Sequence, residues 1–160
     1  ARPRVTGAGW RSPRRVRHLA RMRRIPRIKT VMTPFPYSIA PSASLADAKA
    51  MMDTHDIRHL PVCEDHTVIG VLSDRELRVG LALSDRVSLT VAEICLNEPL
   101  LVDLEQTLDV VAASMATRRI GSAIVMRGDK LSGILTTTDV CRLLTELLRE
   151  LGTDEDDDVA

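Results

Sequence analysis

Gly70-Val71-Leu72-Ser73-Asp74-Arg75-Glu76 and Gly133-Ile134-Leu135-Thr136-Thr137-Thr138-Asp139 are two versions of one pattern, 63 residues apart. Each runs glycine, a short β-prone apolar stretch, a hydroxyl, and an acid three positions on. A hydroxyl in that place can cap a helix, so each stretch predicts a strand that turns directly into one. The repetition extends outward from these motifs. Shifting the chain by 63 residues superposes 31–81 on 94–144 without a gap, and ten of the 51 pairs are identical, among them Leu45/Leu108, Met52/Met115, Ile57/Ile120, Val62/Val125 and Leu72/Leu135. A gapless register of that length makes the chain two copies of one unit.

The unit reads the same way in both copies. Ser44 and Thr107 are N-cap residues, followed at helical spacing by Leu45, Ala48 and Met52, and by Leu108, Val111 and Met115. Next come a strand over 59–63 or 123–126, a polar turn, and a second strand over 68–72 or 131–135. Ser73 and Thr136 cap a closing helix. In the second copy that helix carries one apolar stripe (Val140, Leu143, Leu144, Leu147, Leu148, Leu151), and Gly152 is its expected stop. The fold class is α+β, and sheets this small must pack against each other to be covered. Cys63 and Cys141 are expected as small buried groups. The predicted divisions are a basic arm at 1–29, a first repeat at 30–88, a second at 89–151, and a disordered acidic tail at 152–160.

The chain has 160 residues, 22 Lys+Arg and 22 Asp+Glu, but this neutrality is a cancellation. Residues 1–29 hold eleven basic residues and no acidic one, which leaves eleven bases against all 22 acids in the remainder. The acidic body therefore has no general positive field for anions, and any attraction must be local. An apolar content of 44% supports one compact core. No stretch approaches the ~18 apolar residues of a membrane span. Three scattered cysteines argue against a disulfide framework or a zinc site and fit a reducing cytoplasm. Three aromatics are too few for a binder that stacks bases on a sheet. Neither a Ser-His-Asp or Cys-His arrangement nor a G-x-x-x-x-G-K phosphate loop suggests catalysis, so no enzyme is expected.

Val31-Met32-Thr33-Pro34, Arg58-His59-Leu60-Pro61-Val62 and the motif ending at Glu76 resemble one CBS domain (named after cystathionine β-synthase). Ile120 to Val125 and the motif ending at Asp139 resemble a second. The resemblance covers about residues 30–150 and implies a stand-alone CBS pair, two repeats packed about a pseudo-two-fold axis with two clefts between them. It implies adenosine-type ligands, with AMP, ADP, ATP or S-adenosylmethionine as candidates. In such a cleft the hydroxyl meets phosphate beside the free amides of a helix N-terminus, and the acid accepts the ribose hydroxyls. The resemblance pairs Thr136 and Asp139 with Thr33, Tyr37, Arg58 and His59 in one cleft. It pairs Ser73 and Glu76 with Cys95, Leu100, Gly121 and Ser122 in the other. That second cleft offers no cation, and its acid is one methylene longer than the family's aspartate, so one competent and one weakened site are expected.

The expected function is a cytoplasmic regulatory module that senses an adenosine nucleotide and passes its occupancy to a partner protein or a homodimer. The alternatives are a ligand-free structural dimerisation module and a nucleic-acid-associated protein acting through residues 1–29. Met22 would make a natural start, so residues 1–21 are expected to be an upstream extension without a role.

Overall fold

The structure, a computed structural model, describes residues 25–84 and 88–153. After a tight helical turn at Ile28–Thr30 the elements run β1 (Thr33–Pro34), α1 (Leu45–His55), β2 (His59–Glu64), β3 (Thr67–Ser73), α2 (Asp74–Ser84), α3 (Val91–Ile94), β4 (Leu101–Asp103), α4 (Leu108–Arg118), β5 (Ser122–Arg127), β6 (Lys130–Thr136) and α5 (Thr137–Thr153). The helix–hairpin–helix unit appears in both copies. Residues 1–24 of the basic arm, the acidic residues from Asp154 onward and the short segment 85–87 lie outside the described residues.

Local chemistry explains the boundaries. The Ser44 hydroxyl accepts from the Asp47 amide at 3.1 Å, which opens α1; Thr107 holds the matching position before α4 without a side-chain cap bond. Asp56 and Arg119 end these helices in the left-handed conformation, at positions 63 apart. Both hairpins carry a bulge at the same place, after Val62 and after Val125. α5 continues through Gly152 to Thr153 and does not stop at the glycine.

Sheet order shows how the copies are joined. One sheet runs β1-β6-β5-β4, so the lead-in strand of the first repeat sits on the closing hairpin of the second, with Thr33 opposite Ile134. The reciprocal contact also exists: Leu96, in the lead-in of the second repeat, bridges Val71 on β3 through hydrogen bonds of 2.8 and 3.0 Å. The repeat pairs Thr33 with Leu96 and Ile134 with Val71, so the two exchanges are one contact made twice about the pseudo-axis. The turns upstream follow suit. Ile28 is fully buried in the second repeat's core among Val102, Val111, Met115 and Leu135, and Val91 is fully buried in the first repeat's core among Leu45, Met52, Leu60 and Leu72. Burying an isoleucine or valine contributes about 1.5–3 kcal/mol, so each repeat is stabilised by a residue that precedes the other.

Two consequences correct the sequence reading. Charge alone assigned everything up to Lys29 to the arm, yet Arg27 to Lys29 belong to the packed structure. Arg27 bridges Thr107, Lys29 donates to Leu104 O at 3.2 Å, and both basic side chains pair with Glu105. The cysteines are also less buried than expected: Cys141 is exposed and Cys63 only half-buried. A third apolar cluster on the axis, Val71, Ile124 and Ile134 with Val68, Met126 and Leu131, joins the two sheets face to face.

Candidate functional site

The motif glycines have a steric role. A Cβ on Gly70 would sit 2.8 Å from Leu96 O and 3.0 Å from Cys95 Sγ, and one on Gly133 would run into the Met32 thioether. Met32 and Cys95 are themselves 63 apart, so each glycine makes room for the lead-in segment of the other repeat. The G-h-h-T/S-x-x-D pattern therefore records the crossing as well as the cleft. Cys95, expected in a cleft wall, is engaged in this crossing, where burial pushes its thiol up.

At the end of β6 the Thr136 amide and hydroxyl both donate to Asp139 Oδ2, at 2.8 and 2.6 Å, and the Asp139 amide donates back to Thr136 Oγ1 at 3.3 Å. This reciprocal cap fixes the carboxylate and leaves Oδ1 facing Arg142 at 3.7 Å, a loose pair. The first repeat reproduces the arrangement: Ser73 donates to Glu76 Oε2 from its amide, at 3.1 Å, and from its hydroxyl. The extra methylene of Glu76 does not prevent the cap, so the two acids begin from the same position.

What separates the clefts lies on the facing strand. His59, at the start of β2 opposite Ser73, places its ring over Gly121, with Nε2 3.1 Å from where a Cβ would be. Its mate in the second repeat, Ser122, is buried opposite Thr136. Burial lowers the His59 pKa below its ordinary value, against the raising pull of Glu76, Asp139 and Asp74. The imidazole thus stands on the axis within electrostatic reach of both motif acids, and Gly121 lies beneath it. Gly121 N-terminal to β5 also accepts at its carbonyl from the Thr137 amide at 3.0 Å, as Arg58 does from Asp74 at 2.9 Å.

The remaining expected residues are placed as follows. Thr33 is exposed on β1, beside the strand that leads to Thr136. The Arg58 guanidinium is largely exposed and pairs loosely with Asp74 of its own repeat at 3.6 Å; Arg78 shares that carboxylate at 2.9 Å. Tyr37 stacks on His55 at the end of α1, ring centroids 3.7 Å apart. Leu100 packs against the second core. Sequence reasoning passed over Asp74 and Arg142, although the i,i+4 spacing of Asp74–Arg78 and the i,i+3 spacing of Asp139–Arg142 could have signalled both. Among the described residues no helix is long and apolar enough to cross a membrane, and no group of three metal-ligating side chains converges.

Known proteins share this arrangement. A putative acetoin utilization protein (AcuB) from Vibrio cholerae superposes with a TM-score of 0.71 at 26% identity, covering 81% of this chain and 98% of that one. CBSX2, solved in complex with AMP, gives 0.64 at 26% identity, covering 76% and 97%. L-aspartate semialdehyde sulfurtransferase of Methanocaldococcus jannaschii is 25% identical over 118 residues, which are 72% of this chain but only 23% of that enzyme. The CBS domain family matches at residues 28–82 and again at 91–146, each beginning at the buried residue that precedes its repeat. This chain, two packed repeats with exchanged lead-in segments, belongs to the CBS domain family.

Proposed function

We propose that this CBS pair is a regulatory module that takes an adenosine nucleotide in the cleft of Thr136 and Asp139 and relays occupancy to a partner protein or to the arrangement of a homodimer. One observation carries the reading: a capped carboxylate on α5 of the second repeat stands within electrostatic reach of an imidazole on β2 of the first, which feels Glu76 of its own repeat more strongly still. Asp139 Oδ1, held only by a long pair to Arg142, is the acceptor for the ribose diol. Thr136 and the first amides of α5 receive phosphate. An arriving phosphate favours the protonated form of His59, so binding takes up a proton. Arg58 leaves an exposed pair with Asp74 at small cost to reach the same anion. Because the groups come from both repeats, occupancy favours one relative placement of the two, and this is the coupling a sensor needs. CBSX2, similar at 26% identity, is solved with AMP, which supports the ligand class.

Calorimetric titration with AMP, ADP, ATP and S-adenosylmethionine tests this, using the parent and Asp139→Ala. We expect at least one ligand to bind the parent and to lose tenfold or more in affinity to the variant. Binding by none of them, or equal binding to both proteins, would refute the reading.

A second reading, a structural association module, is favoured by one feature. Leu144 and Leu148 on α5 are each about half exposed (50% and 56%), as are Val79 and Leu83 on α2 (59% and 56%), apolar side chains that a second copy would cover. Sedimentation of the parent against Leu144→Glu/Leu148→Glu tests it. We expect a dimer that dissociates in the variant; an unchanged mass excludes this face.

A further inference from the structure

A groove of about 590 Å³ opens far from the nucleotide cleft, lined by Ser38, Cys63, His66, Lys130 and Leu131. It lies between the two hairpin tips. Lys130 begins β6 and Thr136 ends it, which separates the groove from the Asp139 cleft by roughly 20 Å of strand. The segment from Phe35 to Ser38 crosses from β6 to β2 between them: Phe35 donates to Ser132 O at 3.1 Å and Ile39 to Pro61 O at 3.0 Å.

Two observations mark this groove as more than a seam. First, its lining is not repeated across the pseudo-axis. The matching positions are Leu101, Met126, Asp129, Thr67 and Val68, so the two cationic or ionisable nitrogen groups are replaced by an acid and a hydroxyl, and the polar pair Ser38 and Cys63 by apolar side chains. Secondly, His66 stands at φ +67°, directly after Asp65 at φ +45°, in a two-residue turn where glycine or asparagine is the favoured second residue. The backbone tolerates a less favoured residue there, and its ring lines the groove. Lys130, exposed on the opposite rim, makes no ion pair among the described residues, and half-buried Cys63 and exposed Ser38 line the groove beside it.

We infer that this hairpin-tip groove is a second ligand site, for a small organic anion whose carboxylate or phosphate head lies between Lys130 and His66 and whose apolar part rests on Leu131 and Cys63. The volume is in the range of metabolite pockets. Glu64 and Asp65 on the same tip and Asp129 on the facing one disfavour a polyanion, so the site suits one compact charge.

The test is an amide-resolved NMR titration of the full chain at neutral pH with inorganic phosphate and, separately, 3-hydroxybutyrate, which distinguish the two heads. We expect saturable shifts at Ser38, His66, Lys130 and Leu131 with at least one probe. Lys130→Thr with His66→Asp, which installs the residues of the mate position, should weaken binding tenfold or more. Both side chains are surface-exposed, and an unchanged melting temperature confirms that the variant folds. Asp139→Ala, in the distant cleft, should bind the probe as the parent does, so this site can fail or stand independently of the nucleotide reading. Absence of saturation with both probes, or equal saturation in the double variant, overturns the inference.

Discussion

The two repeats share a backbone plan and differ in what they put on it. At the junction of closing strand and helix they are alike, since Ser73–Glu76 and Thr136–Asp139 form the same cap. On the facing strand they part: Arg58 and His59 in the first repeat stand where the second has Gly121 and Ser122. Helix packing differs as well. Gly80 on α2 lets Leu45 and Ile94 approach to within 2.9 Å of where a Cβ would be, while its counterpart on α5, Leu143, is half-buried and is followed by exposed Leu144. The first repeat thus holds Arg58 and His59 on its facing strand, while both closing helices, α2 and α5, leave apolar side chains exposed. Duplication supplied a symmetric frame, and the chemistry resides in the departures from it.

The largest expected effect tests the frame itself. Replacing Ile28 with Ala should cost about 2–5 kcal/mol in urea unfolding, and Val91→Ala somewhat less, because each empties a fully buried position. A harmless Ile28→Ala would mean that the segment before the first repeat is not part of the fold. Next comes the ligand. Asp139→Ala should remove a charged hydrogen-bond acceptor worth roughly 1.5–3 kcal/mol of nucleotide affinity, whereas Glu76→Ala, in the cleft walled by Gly121 and Ser122, should change affinity little. Equal losses would show that the clefts are equivalent after all.

A third pair separates the two crossings. Gly70→Ala meets the Leu96 carbonyl, which is backbone and cannot swing aside, and should destabilise by about 1–3 kcal/mol. Gly133→Ala meets the flexible end of Met32 and should cost less. The reverse order in thermal melts would contradict the crossing geometry. The smallest effect is a pH slope. Burial lowers the His59 pKa from 6.5, so in the window just below 6.5 the unfolded chain binds a proton that the folded chain does not. Stability should therefore fall as pH drops through that window, and the decline should flatten in His59→Gln. Parallel profiles for the two proteins would remove His59 from the buried axis.

Much of this architecture could be read from residue order. Helical spacing, turn residues and the 63-residue register specified both units, and the caps followed from a hydroxyl three positions before an acid. The exchange of lead-in strands gave no such signal: β1 is two residues long and its reciprocal is the single bridge at Leu96, too short for any periodicity. The arm boundary was misplaced for a related reason. Arg27 and Lys29 look like arm by charge, yet Ile28 between them is core, and a single apolar residue forms no pattern. In the site, residue types were legible and orientations were not. Tyr37 stacks on His55, and Arg58 turns to Asp74, because partners distant in sequence were free to claim them.

The exchange also decides where a disturbance enters the molecule. Whatever pulls on or binds the chain just ahead of Ile25 is adjacent in sequence to the first repeat, yet Pro26, Arg27 and Ile28 are fastened to the second, through Leu108, Glu105 and the core around Met115. A tug from the N-terminal side is therefore felt first by the half of the molecule that carries Asp139 and the exposed leucines of α5, and reaches the first repeat through β1 and the contacts the two repeats share. Sequence neighbours are mechanical strangers here, and the far repeat is the near one.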